Sequence, residues 1–465
     1  MSFSFGRYEF LFILFLLIIS FSVRVWPIQV VHWWDETVYL QNAEVMFGLK
    51  EDNYNELEFR PPLLSFLIGV LFFIWYSSIS SSILVALIGA IGVLFFYLFA
   101  REIFGEKEAF LSGLFFAFIP LLVSNSRVIM TDVPSLVFLI IGAFFFVKYL
   151  KTNNSLLGLV SGLFFSFALL MRYSTVPILA CFLVVFIFIY KDKLKSNIKK
   201  VFPLVLGFIF PLVIFFAWVF FKYGDPVSIL LRALSMISDV NYPFYYYLVS
   251  LPVVFTWFVL FGFLVAIVYF VLNFKKHKDK KEMFFILSFL FLLFILFASS
   301  HKEERYLIEP LSISLILLSS RGFVHLFDFF KKNTKATVTL GIIFAFCALL
   351  FFVPSFERFN EPLVNNSIVT DEYLVSQYVN GLRDSNTIYA LNYWPVFGYY
   401  TNKKVIHLDS STFYENCSIN MQKDGFFVVH KGDVIPSKKW INSNSSFSLL
   451  KEINSFEVYY YNSTN

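Results

Sequence analysis

Two adjacent carboxylates, Asp35 and Glu36, follow paired indoles in the run His32-Trp33-Trp34-Asp35-Glu36-Thr37-Val38-Tyr39. On a helix, neighbouring side chains point about 100° apart. The two acids therefore do not face one another as the carboxylates flanking a glycosidase's bond do. One of them alone can serve as a general base. The plainer alternative is an acidic loop start beside an interfacial aromatic belt.

Cations recur in similar surroundings. Phe59-Arg60-Pro61-Pro62-Leu63 puts Arg60 before a double proline that fixes an extended entry into apolar sequence. Ser126-Arg127 leads to Asp132-Val133-Pro134, where Asp132 is suited to cap a helix. Arg172-Tyr173 interrupts apolar sequence, and His301-Lys302-Glu303-Glu304-Arg305-Tyr306 fills a short turn before Glu309-Pro310. An ionisable residue this near a membrane core is a functional candidate by default. Arginine suits bidentate phosphate contacts and lysine a point-charge contact. An interfacial arginine, a helix cap and a charged turn are the bland readings of the same residues. There is no P-loop, GxGxxG, CxxC or HExxH pattern and no metal-ligand cluster. Metal-independent chemistry without a cofactor is therefore expected.

The elements that must hold these residues are set by composition. Of 465 residues, 58% are hydrophobic and 15% charged, with mean hydropathy +0.71. Soluble domains are typically ~45–50% apolar and ~25% charged. A single-core soluble enzyme, a disordered chain and a disulfide scaffold are excluded. Apolar runs approach the ~20 residues that a bilayer core requires, and they do not alternate as β-barrel strands do. A polytopic α-helical membrane protein follows. The net charge of +5 is no nucleic-acid signal, because the basic residues sit in short clusters between apolar runs.

Eleven spans are expected, at about 10–31, 83–100, 108–125, 133–150, 156–171, 174–190, 201–221, 251–272, 283–298, 306–320 and 337–353. The first reads as an uncleaved helix, because no small-residue cleavage site follows it. The stretch 61–76 is short and opens on Pro61-Pro62. The loops 191–200 and 275–281 carry five lysines each. Positive-inside counting puts every basic loop in the cytoplasm only if 61–76 does not cross. It is then a juxtamembrane segment, and nearly all the candidate residues share the outer side. Beyond 353 the chain turns polar. A helix at 372–382 and strands at 387–391, 404–408, 425–430, 447–453 and 456–461 predict a small α/β domain over 354–465. Four N-x-S/T sequons lie in this tail, at Asn365, Asn416, Asn444 and Asn462, and chance matches are common in Asn- and Ser-rich sequence.

Over roughly residues 8–353 these pieces resemble the membrane glycosyltransferases of the GT-C superfamily. The resemblance is to its family-39-like group, with the dolichyl-phosphate-mannose–protein mannosyltransferases and the bacterial lipid A aminoarabinose transferases. The pieces are an acidic pair after the first span (Asp35-Glu36, with Tyr39 behind), a PPL motif (Pro61-Pro62-Leu63), a second-loop Asp132 after Arg127, and a basic loop ending in Arg305-Tyr306. The tail departs from the pattern and names no acceptor. The resemblance implies a GT-C transmembrane domain over 1–353 in a multi-pass protein of the cell membrane with its active site at the outer face. The positive-inside count, with eleven spans, puts the C-terminal domain outside as well. It implies a polyprenyl- or dolichyl-phosphate sugar as donor, a protein or lipid-linked glycan as acceptor, and transfer with inversion among membrane lipids. Asp35 would be the catalytic base, with Glu36 orienting the acceptor or the base. Arg60, Arg127, Arg172, Lys302 and Arg305 would bind the donor phosphate. Tyr39, Asp132, Tyr173, His301 and Tyr306 would contact the substrates. The rival is a transporter or flippase of a lipid-linked or anionic substrate, which would not need Asp35-Glu36.

Overall fold

A computed structural model describes residues 6–26, 32–51, 60–195, 201–229, 231, 242–273, 280–299, 302–330, 370–391, 393–408, 421, 423–432, 441 and 445–463. The expected span at 337–353, His301, the sequons at Asn365, Asn416 and Asn444, and the 353/354 boundary lie outside these residues. The chain divides into two compact units, one of residues 1–28, 61–63 and 81–362, the other of 29–60, 64–80 and 363–465.

Seven described helices are long and apolar enough to cross a membrane: Arg7–Val25, Ser78–Ile103, Asp132–Thr152, Phe202–Lys222, Tyr246–Asn273, Lys280–Ala298 and Glu304–Phe330. The protein is an all-α polytopic membrane protein with a small C-terminal sheet region. The helix Pro62–Phe72 has 11 residues. At about 1.5 Å per residue it is far shorter than a ~30 Å hydrocarbon core. The run expected as one span at 108–125 is instead two helices, Glu106–Phe118 and Pro120–Asn125. Pro120 has no N–H to continue the ladder of the first helix and suits the first turn of the second. The helix Asp132–Thr152 ends at Asn153 in the left-handed region. Asn154 then caps Ser155–Met171 by accepting the Leu156 N–H at 3.0 Å.

Within the first unit, glycines let helix backbones touch. A Cβ on Gly162 would overlap the Leu204 carbonyl of the facing helix, and one on Gly207 would overlap that of Leu159. Gly322 packs in the same way on the Gly262 carbonyl, beside a hydrogen bond of 2.7 Å from Ser319 Oγ to the Val259 carbonyl. Gly322→Val should destabilise the protein by ~1–3 kcal/mol, the usual cost of overpacking a tight contact. Thermal unfolding in detergent measures it, and an unchanged midpoint would mean the two helices part without cost.

The second unit holds a five-stranded sheet in the order β2-β1-β3-β5-β4, with β1 Thr387–Ala390, β2 Lys404–His407, β3 Gly425–His430, β4 Phe447–Ile453 and β5 Phe456–Tyr461. β1 lies parallel to β2 and β3, and β5 antiparallel to β3 and β4. Side chains alternate across it. Ile388, Ala390, Phe426 and Val428 pack on one face with Val375 and Val379 of the helix Asp371–Gly381. Tyr389, Phe427 and Tyr459 pack on the other. Thr370 starts that helix by accepting the Tyr373 N–H at 3.3 Å. A second helix, Trp394–Tyr400, connects β1 to β2. It has seven residues, too few for a helical period to be read in the sequence. Residues of the first loop belong to this same unit, and Val38 joins the core on the Ile388 face.

Candidate active site

The acidic pair stands at the first turn of the helix Trp34–Met46, where an anion is favoured by the helix dipole. Residues Asp35 to Glu44 of this helix are all buried. The two carboxylates do different things. Arg60 Nη2 donates to Asp35 Oδ1, and the Arg60 guanidinium carbon lies 5.5 Å from the centroid of the Trp34 ring. Arg60, expected to meet phosphate, is thus drawn to the carboxylate. Asp35 is 8% exposed, so it is desolvated but reachable. Glu36 turns back on its own helix start, accepting the Trp33 N–H at 3.0 Å and lying 3.4 Å from His32 Nδ1. Tyr39 is buried one turn on from Asp35, and Ser65 Oγ donates to its carbonyl at 3.1 Å. The His32 N–H donates to the Tyr400 hydroxyl at 2.7 Å. Burial is the main cause that pushes the Tyr400 phenol up to about 12, so it stays protonated at neutral pH.

A second cluster lies in the first unit. Arg172 follows the last residue of the helix Ser155–Met171, and its Nη1 pairs with Asp132, the first residue of the helix Asp132–Thr152. Thr131, not Asp132, holds the cap position. Arg172 Nε donates to Ser174 Oγ at 2.7 Å and lies 3.8 Å from Glu309 Oε2. Glu309 accepts from Thr175 Oγ1, and from Ser174 Oγ at 3.2 Å. Arg305 pairs with Glu303. The guanidinium carbons of Arg172 and Arg305 lie 5.1 and 5.6 Å from the Tyr306 ring centroid. Tyr173 lies beside Arg172 in the same turn. This arrangement can hold a phosphate by two forked cations beside a phenol.

Two expected cations are turned to the backbone. Arg127 Nε donates to the Val23 carbonyl at 2.8 Å, satisfying an end carbonyl of the helix Arg7–Val25. Burial pushes its guanidinium down to about 10, so it keeps its charge at neutral pH. Lys302 is buried and donates to the carbonyls of Tyr242 and Pro243 at 3.3 and 3.2 Å. Glu309 is the residue that sequence reasoning passed over. Its signal was there, an acid entering a span beside proline, but its partners lie about 135 residues away in sequence. Among the described residues no cluster of three or more His, Cys, Asp or Glu could hold a metal ion.

Residues 59–221 match the family model of dolichyl-phosphate-mannose-protein mannosyltransferase. No curated protein matches the chain. Among solved structures, the chain is similar to ArnT from Cupriavidus metallidurans bound to undecaprenyl phosphate. The TM-score is 0.69 and the identity 14%, over 97% of this chain and 98% of that one. It is also similar to the Archaeoglobus fulgidus oligosaccharyltransferase tethered with an acceptor peptide, with TM-score 0.64 and 12% identity, over 91% of this chain and 69% of that one. AglB from the same organism, in complex with an inhibitory peptide and a dolichol-phosphate, gives 0.63 and 12%, over 90% and 69%. At such identities these likenesses speak for the fold, and the family match speaks for the sequence. The mannosyltransferase family match thus covers residues 59–221, while along nearly its whole length the chain has a fold similar to those of ArnT and the Archaeoglobus oligosaccharyltransferase.

Proposed function

We propose that the protein transfers a sugar from a polyprenyl-phosphate donor to a hydroxyl of a protein or lipid-linked acceptor, with inversion and with Asp35 as base. The observation that carries this is the buried Asp35, held by Arg60 at the start of a helix. The acceptor oxygen attacks the anomeric carbon, the bond from that carbon to the phosphate oxygen breaks, and the phosphate keeps the electron pair. The acceptor's proton passes to Asp35. Polyprenyl phosphate is a stable anion when it leaves, so it needs cations rather than a general acid. Arg172 and Arg305, at 5.1 and 5.6 Å from the Tyr306 ring centroid, are assigned to that phosphate. ArnT is bound to undecaprenyl phosphate and AglB is in complex with a dolichol-phosphate, and these polyprenyl phosphates support the assignment.

The test is purified protein with a labelled polyprenyl-phosphate sugar and a mixture of acceptors. Release of free polyprenyl phosphate is the expected result. Binding without release, under conditions where transport is detected in vesicles, would favour the transporter reading. Arg305→Ala should weaken donor binding by ~2 kcal/mol, the low end for loss of one hydrogen-bonded charge contact. Unchanged donor affinity in a titration would remove Arg305 from the phosphate site.

The site and the C-terminal domain are assigned to the extracytoplasmic face, on the strength of the lysine-rich loops at 191–200 and 275–281. A cysteine introduced near 410 should react with an impermeant reagent from outside, and one within 191–200 should not. The opposite pattern would reverse the topology.

A further inference from the structure

The C-terminal domain has no part in the chemistry above, yet it packs on the helix that carries Asp35. The helix Trp394–Tyr400 lies along Trp34–Met46 through several contacts of different kinds. The Trp34 and Trp394 rings meet edge to face, with centroids 5.5 Å apart. Gln41 Nε2 donates to the Pro395 carbonyl at 2.7 Å, and Lys50 Nζ donates to the Gly398 carbonyl at 2.7 Å. The His32 N–H reaches the Tyr400 hydroxyl at 2.7 Å, and Val38 enters the same apolar core as Trp394. Trp34, Val38 and Gln41 recur at i, i+4 and i+7, so one helical face makes most of these contacts. Asp35 sits about 100° round from Trp34.

Arg60 joins the two faces. Its guanidinium rests over the Trp34 ring while its Nη2 holds Asp35. Trp394 is 3% exposed, and the His407 ring of β2 also packs on it, with centroids 5.4 Å apart. The order of contact is therefore Trp394, Trp34, Arg60, Asp35.

We infer that Trp394 and Gln41 are positioning residues, through which the C-terminal domain fixes the direction of the Asp35 carboxylate. The inference rests on the assignment of Asp35 as base. A misplacement of about 1 Å at a reacting group can cost ~10²-fold in rate. Removing the Trp394 ring leaves space into which Trp34 can turn, and Arg60 turns with it. Lost positioning lowers kcat and leaves the donor KM alone, because neither residue is assigned to the donor.

The experiment uses the full-length purified protein, with kcat and donor KM measured for Trp394→Ala, Trp394→Phe and Gln41→Met, alone and with Asp35→Asn. Trp394→Ala is expected to lower kcat by ~10-fold or more with donor KM unchanged, within the range for misplaced groups. Trp394→Phe keeps an aromatic edge against Trp34 and should restore most of kcat. Gln41→Met removes the bond to Pro395 without opening a void and should lower kcat in the same direction. It carries the test if Trp394→Ala does not fold. On the Asp35→Asn background these substitutions should add nothing, since the base they aim is gone. Wild-type kcat in Gln41→Met and Trp394→Phe together with wild-type kcat or misfolding in Trp394→Ala would overturn the inference. So would an undiminished effect on the Asp35→Asn background. Full turnover in Asp35→Asn itself would instead remove the base assignment.

Discussion

Asp35→Asn is expected to lower turnover by ~10²–10⁴-fold, the range general-base catalysis typically supplies, with donor binding near the wild-type value. Asparagine keeps the shape of the side chain and can still accept a bond from Arg60. It cannot take the acceptor's proton. The expectation stands on position: Asp35 is mostly desolvated at the start of its helix and retains an exposed edge. Glu36→Gln should do far less, because Glu36 is engaged with the Trp33 N–H and His32, and glutamine can accept the same backbone bond. Steady-state turnover of the two variants separates the cases. Full turnover in Asp35→Asn with loss in Glu36→Gln would exchange their roles. Full activity in both would withdraw the main support for the proposed mechanism and move the transporter reading ahead.

Arg172→Ala should destabilise the protein by ~3–5 kcal/mol, because it strands buried charge rather than merely removing a contact. The guanidinium pairs with Asp132 and lies beside Glu309, both almost fully buried. Arg172→Lys should recover only part of the loss, since one ammonium cannot fork between two carboxylates as a planar guanidinium does. Adding Asp132→Asn and Glu309→Gln to Arg172→Ala should recover stability, because the charges left unpaired are then gone. Thermal unfolding in detergent is the measurement. An unchanged midpoint in Arg172→Ala would mean that water reaches these carboxylates and that the cluster contributes little. Donor affinity in the triple variant then reads the phosphate contact apart from folding. Its return to the wild-type value would remove Arg172 from phosphate binding.

The strands show how much the sequence carried. Gly425–His430, Phe447–Ile453 and Phe456–Tyr461 were legible to the residue, because alternation and turn residues are local signals. Apolar run length likewise determined the membrane class and most of the spans. It misread 108–125, where Pro120 splits a continuous apolar run, and it missed the short helix Trp394–Tyr400, whose aromatic residues carry no period. Within the candidate site, the sequence by itself determined which residue types were available and that the first-loop acids stood beside indoles. Only the tertiary structure decided their partners. It set Arg60 on Asp35, turned Glu36 back to its helix start and bent Arg127 to the Val23 carbonyl. It brought Arg172 to Asp132 and Glu309, 40 and 137 residues away in sequence. Periodicity reports the face a side chain occupies on its own element. Which charge it meets depends on how distant elements pack, and no spacing along the chain encodes that.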